Sequence, residues 1–394
     1  MRFSPLVDRI SGKGADAWSI HWRARELAAA GRDVIMLTVG DPDMPPPPQV
    51  IEAVVEALRA GKTTYSPIIG YPEVRAAVAA RHQARTGQPT STDNVVLVPG
   101  AQAGLYCALQ CLAGPGDEVI VPEPMYATYE AVAGAAGSTI VNVALRPERG
   151  FHLDLDDLER ALTPRTRVLW LNSPHNPTGA VMTRTEIMAA AEFCRRHDLW
   201  LLSDEVYADL AYAGPHVSPW SLPGMVERTV VVSSLSKSHA VPGYRSGWII
   251  GPPQLTSHLA KLVLCMLYGG PPFIQAGALA ALTRDCPQVA EMAEAYQRRA
   301  AIMVSVLKDI PGLRAGLPEG GMFVLLDVRG TGLSSAAFAD GLLDAHGVAA
   351  LSCDAFGPSA VGHHRISLAA PDDTIKEAAS RIARYSKSLL FRLL

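Results

Sequence analysis

The chain has 394 residues, 48% hydrophobic and 19% charged, with a formal net charge of −3. That balance suits an α/β protein with an ample core, built as one large domain and a smaller one, and it excludes the basic face that nucleic acid requires. Six cysteines, at 107, 111, 194, 265, 286 and 353, form no Cys-x-x-Cys and stand at no metal-ligand spacing, so no metal is expected and the pattern fits a reducing cytosol.

Residues 1–9 lack the apolar core of a signal peptide, and the run Leu262–Tyr268 is too short to span a bilayer. A cytoplasmic location without membrane contact is expected.

The first segment predicts a helix over Ala17–Ala30 and a strand over Val34–Val39. Gly40-Asp41-Pro42-Asp43 and prolines 45–48 then read as a rigid extended stretch. Strands follow at Asn94–Val98, Glu118–Val121, Thr139–Val143, Arg167–Leu171, Trp200–Leu202, Thr229–Val232 and Gly247–Ile250. They are rich in Val, Ile and Leu and do not clearly alternate, as strands covered on both faces do not. Helical patterns at Ala101–Leu112, Leu155–Leu162 and Arg184–His197 separate several of them. The alternation predicts a mostly parallel sheet with helices on both sides.

The pattern changes near Pro287. Helices are expected over Val289–Lys308, Ser335–Ala345 and Ile375–Phe391, with strands at Met322–Asp327, Val348–Leu351 and His364–Leu368. The apolar tail, 389–394, reads as the end of a docked helix. Residues 46–290 form the expected large domain and 291–394 the small one, with 1–45 packing against the small one.

Lys237 ends a β-branched run within residues 234–245, Ser-Leu-Ser-Lys-Ser-His-Ala-Val-Pro-Gly-Tyr-Arg. Lysine is seldom buried, because its ammonium must be paired or neutralised. A solvated lysine at a strand end is the plain reading. The chemical one is an amine that forms a Schiff base with an aldehyde cofactor while Arg245 holds that cofactor's phosphate.

Four other places gain meaning beside it. Gly100-Ala101-Gln102 turns a strand into a helix N-terminus that can face a phosphate, although it lacks the dinucleotide fingerprint and the Walker lysine. Asn172–Gly179 holds two prolines and Asn176 in a loop at the C-terminal edge of the sheet, where open α/β folds bind ligands. Asp204 is either a helix N-cap or a buried carboxylate facing a cationic ring nitrogen, with Tyr207 beside it. Arg365 is either a surface ion-pair partner or a forked clamp for a substrate carboxylate.

Together these motifs resemble the class I/II aminotransferases of the fold-type I pyridoxal-phosphate enzymes. The likeness runs in family order from Val39-Gly40-Asp41-Pro42 through Tyr65, Gly70-Tyr71, Gly100–Gln102, Pro124-Met125-Tyr126, Asn172–Gly179, Ser203–Tyr207 and Ser234–Arg245 to Arg365. It implies pyridoxal 5'-phosphate as cofactor. Lys237 is then the residue bonded to it and the proton carrier. Asp204 holds the pyridine nitrogen, Asn176 and Tyr207 hold the ring's phenolic oxygen, and Tyr126 stacks on the ring. Gly100, Ala101, Gln102, Ser234, Ser236 and Arg245 surround the phosphate.

The resemblance also implies a homodimer in which Tyr65 reaches the neighbouring subunit's cofactor, and a substrate carboxylate held by Arg365, Gly40 and Asn176. Trp18–His21, Leu264–Gly269, Gly320–Phe323 and Ala355–Ala360 are most similar to arginine–pyruvate transaminases within the family. A ping-pong exchange between arginine, or a related guanidino or basic amino acid, and a 2-oxo acid such as pyruvate is therefore expected. Asp16, Trp18, Asp43 and Glu123 are the candidates for reading the side chain. Aspartate, aromatic or broad-range transamination, or a lyase or oxidase reaction with the same cofactor, are the alternatives.

Overall fold

The structure is a computed structural model and describes residues 1–12 and 17–390. Asp16, Phe391 and the rest of the tail lie outside the described residues.

The strands are β1 (Ile35–Met36), β2 (Val95–Val98), β3 (Glu118–Glu123), β4 (Thr139–Ala144), β5 (Thr166–Asn172), β6 (Trp200–Asp204), β7 (Thr229–Ser234), β8 (Gly247–Ile250), β9 (Arg314–Ala315), β10 (Phe323–Asp327), β11 (Val348–Ala349), β12 (Leu351–Ser352) and β13 (His363–Ser367). Seven of them form a sheet in the order β2-β8-β7-β6-β5-β3-β4. It is parallel except for β8, which runs against both its neighbours.

Burial on both faces explains the apolar runs. Val119, Val121, Val168, Trp170, Leu202 and Val230 pack on one side of the sheet, and Ile120, Leu169, Leu171 and Leu201 on the other. Successive side chains alternate between those faces. Asp204 therefore shares the face of Leu202, two residues back.

The helices are α1 (Leu6–Arg9), α2 (Ser19–Ala29), α3 (Pro48–Arg59), α4 (Pro72–Thr86), α5 (Gly100–Leu112), α6 (Tyr129–Ala136), α7 (Leu155–Ala161), α8 (Arg184–Arg196), α9 (Leu235–Ser238), α10 (Pro253–Met266), α11 (Pro272–Thr283), α12 (Gln288–Leu307), α13 (Ser335–His346) and α14 (Asp372–Leu390). The sequence pattern missed the short α1 and α9 as well as α3, α4, α6, α10 and α11. Four of these start on a proline, Pro48, Pro72, Pro253 and Pro272. At the first helical position a missing N–H costs nothing. Pro48 thus opens a helix where the extended stretch was expected to continue.

A second sheet, β12-β13-β10-β9, is antiparallel. Its core gathers Tyr296, Met303, Phe338 and Ile382 around Leu37. The expected strand Val34–Val39 shrinks to β1, which pairs in parallel with β11 and ties the N-terminal segment to the C-terminal residues. The expected strand Val348–Leu351 splits, because β11 pairs with β1 while β12 pairs with β13. No helix among the described residues is long and apolar enough to cross a membrane.

Candidate active site

Strand register sets the floor of the site. Asn172 at the end of β5 is the partner of Asp204 at the end of β6, and Asp204 is the partner of Val232 in β7. Three parallel strands therefore end together and deliver Asn172, Asp204 and Ser234 to one edge. A cavity of about 200 Å³ opens there.

Lys237 lines this cavity from the short helix α9, whose first turn is capped by Ser234 Oγ accepting from the Ser236 N–H. Its Nζ donates to the Gly40 carbonyl. Burial pushes the ammonium down to about 8. Asp41 opposes that shift, while Arg365 and Arg245 reinforce it.

Asp204 is only 4% exposed. Burial pushes its carboxyl up to about 6, against hydrogen bonds that favour the ionised form. Tyr129 donates its hydroxyl to Oδ2 at 2.6 Å, and the Val206 N–H donates to Oδ1 at 3.2 Å. Tyr129 is itself fixed by stacking on Trp170, 3.9 Å between centroids. The tyrosine escaped the sequence reading. Its one signal is its place three residues beyond Tyr126.

Asn172 links the two sides of the floor. Its Nδ2 donates to the Asp204 carbonyl at 3.1 Å, and its Oδ1 accepts from the Asn176 N–H at 2.9 Å. Asn176 in turn accepts at Oδ1 from Arg365 Nη1 at 3.0 Å, so its Nδ2 is the end that can donate into the cavity.

Arg365 is not a surface residue; it is 2% exposed. Its Nη2 donates to the Thr38 carbonyl at 2.8 Å, and its guanidinium lies 4.2 Å from the centre of the Phe323 ring. Nε has no partner among the described residues. Among those residues no carboxylate pairs with this buried cation, a costly arrangement unless an anion arrives.

Arg245 adopts a left-handed backbone, φ 52°, and donates to the carbonyls of Pro242 and Pro99. A Cβ on Gly100 would come within 2.4 Å of Arg245 Nη2, and Gly100 has φ +81°. Only glycine lets the guanidinium lie against the start of α5. Gly100 thus stands behind Arg245 and does not line the cavity, whereas Ala101 and Gln102 do.

Tyr126, Tyr207 and Ser236 line it as well. Burial raises both phenols above the usual range. Tyr65 does not line the cavity; it is 82% exposed and meets Tyr268 edge-on.

Of the candidates for reading a side chain, Asp43 is held by Arg299 at 2.8 and 3.0 Å. Glu123 accepts from Ser359 Oγ and N–H. Both are structural here. Trp18 lines the cavity. His175 and His239 are buried and pack in the motif loops, held by Thr178 and by Ser238 with the Ala281 carbonyl. No group of metal-binding side chains occurs among the described residues.

Residues 32–382 match the family model for aminotransferase class I and II. The chain belongs to the class I and II aminotransferases. This aminotransferase is 50% identical to the arginine–pyruvate transaminase of Pseudomonas aeruginosa over 99% of each chain. It is 37% identical to the aspartate/prephenate aminotransferase of Cereibacter sphaeroides, over 93% of this chain and 94% of that one. Among solved structures, the aspartate aminotransferase of Thermus thermophilus superposes with a TM-score of 0.92 at 34% identity, covering 98% of this chain and all of that one.

Proposed function

We propose that the enzyme moves the amino group of arginine, or of a related guanidino or basic amino acid, to pyruvate or a similar 2-oxo acid, with pyridoxal 5'-phosphate bound at Lys237. The observation that carries the reaction is the meeting of Lys237 and Asp204 in one cavity. The near-full-length relative described as an arginine–pyruvate transaminase supports the donor and acceptor.

The residues fit the cofactor. The Gly100–Arg245 contact makes a cationic cradle beside the N-terminus of α5, suited to a phosphate. Asp204 offers a buried carboxylate for a protonated ring nitrogen, and Asn176 Nδ2 and the Tyr207 hydroxyl offer donors for a phenolic oxygen. Tyr126 supplies an aromatic face. When bound, the cofactor supplies an electron sink for charge that develops at the donor's α-carbon.

The chain's own part is positional and protonic. Arg365 presents a fork to the substrate carboxylate, oriented by Asn176 and the Thr38 carbonyl. With no carboxylate partner among the described residues, its charge favours an anion there. The Lys237 amine, with its proton affinity lowered by burial, gives up and takes protons readily near neutral pH. The Gly40 carbonyl orients Nζ. Tyr129 and the Val206 N–H keep Asp204 in its ionised, acceptor form.

The same reading makes the enzyme a homodimer, with exposed Tyr65 reaching the partner's cofactor phosphate. Its division is 1–45 with 291–394 around 46–290, which the β1–β11 pairing supports. Six unpaired cysteines support a cytoplasmic setting.

Single half-reactions test the proposal. Purified enzyme loaded with cofactor is mixed with each common amino acid, and the cofactor absorbance is followed. Arginine should convert the chromophore stoichiometrically, and pyruvate should restore it. Inert arginine beside reactive aspartate refutes the donor. Ammonia release without an acceptor refutes transamination.

A further inference from the structure

We infer that Trp18 reads the side chain of the amino donor through its indole face; this rests on the arginine reading above. Asp204 is the only carboxylate among the described residues that line the cavity. Both its oxygens already accept hydrogen bonds, from Tyr129 and Val206. Asp43 and Glu123 are engaged elsewhere, by Arg299 and Ser359. Among the described residues that line this cavity, a planar cation finds aromatic faces and no free carboxylate. Tyr126 meets Tyr129 edge-on, and Tyr129 donates to Asp204, which sets Tyr126 at the reacting end. Trp18 comes from the start of α2, a different wall.

The indole is held in place by packing and by a polar chain. Trp18 packs against the cluster of Ile20, Leu343, Leu351 and Phe356. Its ring meets His21 edge-on at 5.9 Å. His21 Nδ1 lies 2.7 Å from Thr38 Oγ1, and the Thr38 carbonyl accepts from Arg365. Burial lowers the proton affinity of His21, with Arg25 adding to the effect. The clamp for the carboxylate and the wall for the side chain are thereby joined through Thr38 and His21. Indole is the best aromatic acceptor of a flat guanidinium, and stacking keeps the donors of that group free for water.

Trp18→Leu and Trp18→Phe, each loaded with cofactor, test this in half-reactions with arginine and with alanine. Loss of the indole face should raise the half-saturation concentration for arginine about tenfold in Trp18→Leu, with much less effect in Trp18→Phe. The rise for arginine should exceed any rise for alanine at least about fivefold in Trp18→Leu, with the larger part of the arginine loss in half-saturation and not in limiting rate. Calorimetric binding of unreactive α-methyl-arginine should weaken in parallel. Equal losses for arginine and alanine, or no change for either, overturn the role of Trp18 and leave the donor assignment standing. An unmodified enzyme that reacts with alanine but not arginine overturns the donor assignment and this inference with it.

Discussion

Replacing Asp204 by Asn should shift the stability of the empty enzyme toward the variant as pH rises, while destroying its chemistry. The folded carboxyl is raised from near 3.8 to about 6. A carboxyl raised in this way contributes stability that is fully present below the unfolded value and is lost as pH rises through about 6. At roughly 1.4 kcal/mol per unit, the ionised group costs the fold about 3 kcal/mol at pH 8 and about half that at pH 5. Asparagine is isosteric and carries no charge to desolvate. Its carbonyl can accept from the Val206 N–H and its amide can donate to the Tyr129 oxygen, but the buried Tyr129 hydroxyl then loses its acceptor, which offsets about 1–3 kcal/mol of the gain. Urea unfolding of cofactor-free protein, at fixed protein concentration, measures the gap. The difference should move in favour of Asp204→Asn by about 1.4 kcal/mol from pH 5 to pH 8. With cofactor bound the parent should be the more stable, because the carboxylate then faces a cation. A difference that stays constant with pH, or that moves toward the parent from pH 5 to pH 8, refutes the reasoning.

Three further outcomes are expected. The rate at which pyridoxal 5'-phosphate attaches covalently to empty enzyme should rise with pH through about 8, since only the unprotonated Lys237 amine attacks; Lys237→Ala should abolish both attachment and turnover, and borohydride trapping with peptide mapping locates the site. Arg365→Lys should raise KM for every amino acid and oxo acid by roughly 10- to 100-fold, because an ammonium cannot present a fork to a carboxylate; steady-state kinetics across donors checks that the loss is uniform. Asp43→Asn should leave KM for arginine unchanged and lower stability by about 1–3 kcal/mol, because it strips a charge from buried Arg299; paired kinetics and unfolding curves separate the two effects.

Much of the site could be read from the chain alone because its parts are local. Asn176 sits in a proline-braced loop, Asp204 at a strand end, and Lys237 and Arg245 share one short segment. Each strand of the large sheet betrays itself by apolar residues on both faces. Helices opening on Pro48, Pro72, Pro253 and Pro272 were hidden, since a proline looks like a break until its place at the first turn is known.

What the tertiary structure alone decided is which side chains meet across long stretches of sequence. Tyr129 and Asp204 are 75 residues apart, and Arg365 and Thr38 are 327 apart. No periodicity encodes such pairs, because strand register and helix docking place them. The same packing gave Asp43 to Arg299 and Glu123 to Ser359, and left Trp18 on the cavity wall. Residue type names the chemistry a side chain can do, and its surroundings in the fold decide whether it is free to do it.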